Sequence, residues 1–158
     1  MKLSHYQARG FHCLDNVAPT GLISLPAAAV AIKKGDYLID DTYGYATNTA
    51  TDASLICYGI AAEDCDNSAG SSGDLSVLVI PITANVRYSV PVGANALITR
   101  TAVGLGIDLV NAYSVDVADS TIPTGAIALF VEDFDASAEA IDGNAYGYAI
   151  GRFRVFAP

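Results

Sequence analysis

The sequence predicts an all-β protein built as a small barrel or sandwich, and three observations carry that prediction. Val, Ile, Thr, Tyr and Phe supply 50 of the 158 residues, against 3 Lys, 3 Glu and 1 Gln, so strand formers far outnumber the long side chains that favour helices. Apolar runs of strand length recur between clusters of Gly, Asn, Asp, Ser and Pro, the pattern of many short strands. The chain is 52% apolar with 14 Gly and 6 Pro, which excludes a disordered or collagen-like polymer. Its length suits one domain, or two very small ones, and is ample for a buried core.

Residues 1–20 are polar, mildly basic, hold both histidines and end at Pro19-Thr20-Gly21. They read as an extended N-terminal arm outside the core, able to reach about 65 Å, with residues 21–158 forming the β-domain. A Lys34-Gly35 turn opens a short strand at 36–40, and residues 41–52 form a hairpin region. The apolar run 55–62 is a strand closed by an acidic turn at 63–66, and 67–73 is a loop by composition. Residues 75–82 form the strongest core strand, with Pro81 tolerated near its end. Strands at 107–110, 126–131 and 146–156 are the counterparts in the second half.

Those counterparts reflect a duplication. Residues 60–69 align with 129–138, and Glu63/Glu132, Asp64/Asp133, Asp66/Asp135, Ser68/Ser137 and Ala69/Ala138 are identical at an offset of 69. Upstream, Gly35 and residues 38–40 lie opposite Gly106 and residues 109–111; downstream, residues 86–90 lie opposite 151–155. Three landmarks in one order give two related units, about 33–90 and 104–158.

Charge follows the same division. Residues 1–34 carry +3, whereas 35–86 and 101–151 each hold eight acids and no Lys or Arg. Arg87, Arg100, Arg152 and Arg154 mark the ends of those blocks. The net charge of −9 repels phosphate, so no nucleic-acid partner is expected, and an anionic membrane surface is disfavoured on the same ground. The N-terminus lacks the apolar core of a signal peptide, and the most apolar early run, 22–32, is too short to span a bilayer. Cys13, Cys57 and Cys65 are odd in number and share no metal or redox spacing, so they read as reduced structural thiols made in a reducing cytoplasm.

Candidate chemistry is sparse. The two Glu-Asp-x-Asp clusters offer carboxylates to a calcium ion, but neither supplies both the Gly and the Glu that an EF-hand loop requires, and an acidic turn closing a strand accounts for them. Glu63 and Glu132 could face one another as a glycosidase pair, yet no Trp exists to form a sugar platform. His5 and His12 lie on the arm near Cys13, without the rigid scaffold that nucleophilic catalysis needs. Gly104-Leu105-Gly106 lacks a third Gly and a following helix for nucleotide binding. The nine Tyr and five Phe suit either strand packing or subunit contacts. No enzyme activity, metal or cofactor is expected.

Residues 33–90 resemble the capsid cement (head decoration) proteins of tailed bacteriophages. The resemblance is carried by Lys34-Gly35-Asp36, by the segment from Gly59-Ile60-Ala61-Ala62-Glu63-Asp64 through Asp66, Ser68, Ala69 and Gly70, and by the Val-rich strand at 75–80. The second unit matches at 132–138 and at Gly151-Arg152-Phe153. The resemblance implies a barrel-like fold of the β-tulip kind and no enzyme activity. It also implies a virion protein on the outer capsid surface that stabilises the mature head, with the major capsid protein and itself, as a homotrimer, for partners. The candidate capsid and subunit contacts are Lys2, His5, Tyr6, Arg9 and Phe11 of the arm, with Arg87, Arg152 and Arg154. The alternatives are another virion or cell-surface adhesion module, or a hydrolase using Glu63 and Glu132.

Overall fold

The computed structural model describes residues 9–15, 21–49, 57–83, 86–94, 97–116, 129–136 and 147–153. Within them the strands, in chain order, are β1 (His12–Cys13), β2 (Ile23–Pro26), β3 (Ala31–Ile32), β4 (Tyr37–Asp40), β5 (Ala46–Thr47), β6 (Cys57–Ala61), β7 (Cys65–Asp66), β8 (Ser76–Pro81), β9 (Arg87–Ala94), β10 (Gly106–Asn111), β11 (Ser114–Asp116), β12 (Leu129–Asp135) and β13 (Tyr148–Phe153). A 3-10 turn at Arg100–Ala102 leads into β10. The protein is all-β, as the composition predicts. Among the described residues no helix is long and apolar enough to cross a membrane.

Two five-stranded units share one plan. In the second, the order is β9-β11-β10-β12-β13, and antiparallel pairing of β13 with β9 closes it into a barrel. In the first, the order is β2-β8-β6-β4-β5, and a parallel bridge from Ala27, just past β2, to Ala46 in β5 brings the ends together. Matching β2 to β9, β4 to β10, β5 to β11, β6 to β12 and β8 to β13 reproduces every neighbour and every pairing sense. Even β9–β11 is parallel, like the Ala27–Ala46 bridge.

The register locates the repeat more finely than sequence alignment. Ile39 pairs with Thr47 and Asp40 with Ala46; in the second unit Asp108 pairs with Asp116 and Leu109 with Val115, each 69 positions on. The turns entering β4 and β10 match as well: Asp36 N–H donates to Lys33 O at 3.0 Å, and Leu105 N–H to Ala102 O at 3.1 Å. Gly35 at φ 89° and Gly104 at φ 88° supply the left-handed residue that such turns require. Gly35 therefore corresponds to Gly104, not Gly106. Arg87-Tyr88 and Arg152-Phe153 are not counterparts either. Tyr88 pairs with Gly151 and Arg87 with Arg152, as neighbouring strands of one barrel. Because β2 is the counterpart of β9, the units begin earlier than expected, at β2 and at β9.

The acidic segments also diverge. In the first unit the strand breaks after Ala61, and β7 turns away to pair with β3. In the second, β12 runs on through Glu132 and Asp133 to Asp135, with a register shift between Val131 and Asp133. Phe134 replaces Cys65 there, and it packs against the second unit's core, which keeps the segment in the sheet.

Each barrel holds small inward residues at matching positions. Ala27, Leu38, Ala46, Val77 and Val79 line the first; Val92, Ile107, Val115 and Ala149 occupy corresponding places in the second. Where Val79 would have its counterpart stands Gly151, and a Cβ there would collide with the Phe130 carbonyl oxygen. Ala and Val side chains at these positions suit interiors this narrow. The units meet through Tyr37, Ile39 and Ile60 of the first, which join the second unit's core. Phe11 lies among them, with ring centroids 6.1 Å from Tyr37, 6.2 Å from Tyr88 and 5.2 Å from Phe153.

Candidate functional site

The acidic motif is built into the backbone of the first unit. Asp64 accepts the Lys34 N–H at 2.7 Å, and that bond holds its carboxyl below the usual range. Asp66 accepts from the Ser68 hydroxyl at 2.6 Å and from its N–H at 3.1 Å, with the same effect. Glu63 reaches the Leu78 N–H of β8 at 3.2 Å. Buried Asn67 donates to the carbonyls of Ala27, Ala28 and Ser71, pinning the loop over the barrel end. In the second unit Glu132 pairs with Arg152 at 2.8 Å and Asp133 accepts the Phe134 N–H. These carboxylates bind their own unit rather than converge. Among the described residues, no group of three or more His, Cys, Asp or Glu side chains is placed to hold a metal ion.

Of the sequence-derived contact residues, Lys2, His5, Tyr6 and Arg154 lie outside the described residues. The other four belong to the fold. Arg9 donates to buried Asp36 at 2.6 Å and stacks its guanidinium 3.8 Å from the centroid of the Tyr113 ring. Phe11 is 3% exposed at the junction of the units, so it is a core residue and not an exposed contact. Arg87 pairs with Asp15 at 3.3 Å and Arg152 with Glu132. Within residues 9–15 only His12–Cys13 form a strand, and because β1 pairs with β9 this stretch is part of the fold, not a free arm. Phe11 in a mostly polar segment was the legible sign of that docking.

The cysteines are free thiols. Cys57 is enclosed beside the Tyr37 hydroxyl, and burial pushes its thiol up to about 12. Burial likewise raises Tyr37 and Cys65. None is poised as a nucleophile.

The hairpin expected at 41–52 is the β4–β5 hairpin, but its tip was not among the candidate contact residues. Asp40 accepts the N–H groups of Thr42 and Gly44, and Asp41 those of Tyr43 and Tyr45, all at 2.9–3.0 Å. Thr42 is held at φ 76°, where a non-glycine residue is strained. The result is a rigid loop presenting Tyr43 at 84% exposure. Paired Asp residues followed by Gly four positions on were the available cue. The matching β10–β11 tip is engaged within the chain: Tyr37 N–H donates to Ala112 O at 2.7 Å, and Gly10 N–H to Tyr113 O at 3.0 Å.

No family model, no curated protein and no solved structure matches this chain.

Proposed function

We propose that the chain is a non-enzymatic structural protein of a tailed-phage virion, a cement protein that sits on the outer capsid surface and stabilises the mature head. The observation that supports this reading is the use made of the resemblance motif. Gly35, Asp36, Asp64, Asp66 and Asn67 all serve turns and strand starts of a barrel, the role expected of a scaffold that works by shape. A rigid β-body whose surface carries few flexible Lys and Glu side chains loses little entropy on docking. Bound across seams of the closed shell, it contributes its binding free energy to the mature geometry, and many copies add.

The test is co-sedimentation of purified protein with the heads of tailed phages before and after expansion. Saturable binding to expanded heads, with a raised temperature of head disruption, is the expected result. Absence of binding to any expanded head overturns the reading.

A further inference from the structure

Among the described residues, the internal junction between the units has a counterpart on which nothing is seated. Inside the chain, the β10–β11 tip of the second unit seats against the entry to β4 in the first. Ala112 and Tyr113 accept the Tyr37 and Gly10 N–H groups, and the Tyr113 ring carries the Arg9 guanidinium. The first unit has a tip in the corresponding place, the longer loop Asp41 to Tyr45, and the second has the corresponding entry turn, Ala102 to Leu105 leading to Gly106. Both are exposed. The tip presents Tyr43 at 84%, and the turn presents Val103 at 39% and Leu105 at 40%.

We infer that these two surfaces bind one another between copies: the β4–β5 tip of one molecule seats on the Ala102–Leu105 turn of the next, head to tail. Three features favour a second copy as the occupant. The contact repeats the arrangement already made within the chain, in which an aromatic tip meets the turn before a strand. Apolar surface is present on both sides, an aromatic on one and Val103 with Leu105 on the other. Charge matches too, because the tip is built on Asp40 and Asp41 while Arg100 lies exposed in the 3-10 turn entering the acceptor. Arg100 meets Tyr43 as Arg9 meets Tyr113. The tip needs no ordering on binding, since its carboxylates and strained Thr42 already hold it. Such a contact is heterologous, so each copy offers one donor and one acceptor, and the assembly grows into a ring or a filament.

Sedimentation velocity on the whole protein at about 100 µM, well above a micromolar Kd, tests this. Wild type is expected to sediment as larger species whose size falls on dilution. Tyr43→Ser and Leu105→Asp are each expected to be monomeric alone. Mixed in equal amounts they should form dimers and nothing larger, because one copy keeps the donor and the other the acceptor. Should circular dichroism show Leu105→Asp misfolded, exposed Arg100→Glu takes its place. A monomeric wild type, variants that assemble like wild type, or a mixture that stays monomeric overturns the inference. Self-association of this kind needs no capsid, so its failure and a failure of capsid binding are read separately.

Discussion

Asp36 is fully buried, and its carboxylate accepts from Arg9 Nη2 at 2.6 Å, Asn48 Nδ2 at 2.7 Å and the Lys33 N–H at 2.9 Å. A buried charge is tolerated when several donors surround it, and here the donors come from the N-terminal stretch, the turn and the residue just after β5. The adjacent Gly35 bears on the same point. A Cβ there would lie 3.2 Å from the Phe11 carbonyl oxygen, whereas at Gly104 it would meet nothing within 4 Å. Both residues are left-handed, so Ala at either position is expected to lose about 1 kcal/mol or more. Gly35→Ala should lose measurably more, because Phe11 must shift. Urea midpoints of the two variants measure the difference, and equal losses would remove the crowding argument.

At the level of elements, the short β1 segment has an influence beyond its two residues. It brings Phe11 between the rings of Tyr37, Tyr88 and Phe153, which come from both units. Phe11→Ala is therefore expected to destabilise the protein by about 3–5 kcal/mol, the range for a buried aromatic. Tyr43→Ala, at the exposed hairpin tip, is expected to stay within about 0.5 kcal/mol of wild type. Denaturant unfolding of both variants at low protein concentration gives the comparison. A small loss for Phe11→Ala would mean that the N-terminal stretch does not hold the units together.

At the level of the whole molecule, carboxylates tie both units to their backbones. Asp15 accepts the Arg87 N–H at 2.7 Å in the second unit, and Asp64 accepts the Lys34 N–H in the first; each is held below the ordinary carboxylate range. A carboxyl with a depressed folded pKa contributes stability above its unfolded value, and that contribution disappears as pH falls through the folded value. The melting temperature is thus expected to change little from pH 7 to about 5 and to fall below about pH 4, where unfolded carboxylates begin to protonate. A variant carrying Asp15→Asn and Asp64→Asn should show a shallower acid limb in calorimetric scans. An acid limb as steep as that of wild type would assign the loss to other groups.

The all-β class and the duplication were legible because each depends on local chemistry. Strand formers, turn residues and repeated acids declare themselves by type and spacing. The offset of 69 read from the acidic clusters is also the offset of the β4–β5 and β10–β11 pairings. Long-range pairing was not legible. Segments 86–90 and 151–155 look like repeats because both hold an Arg followed by an aromatic and end in Val, yet Arg87 and Tyr88 pair with Arg152 and Gly151 in the neighbouring strand. Phe11 looked like a residue of a free arm, and only the packing of three rings from distant strands makes it core. The acid pairs at 63–64 and 132–133 have one local identity, but the first closes a strand and the second lies within one. Sequence by itself determined the all-β class, the strands β4, β6, β8, β10 and β13, and that the plan occurs twice; it assigned no strand to β2, β9 or β11. Tertiary structure alone decided which strands are neighbours, which tip is occupied and which is exposed, because those outcomes depend on contacts between residues far apart in the chain.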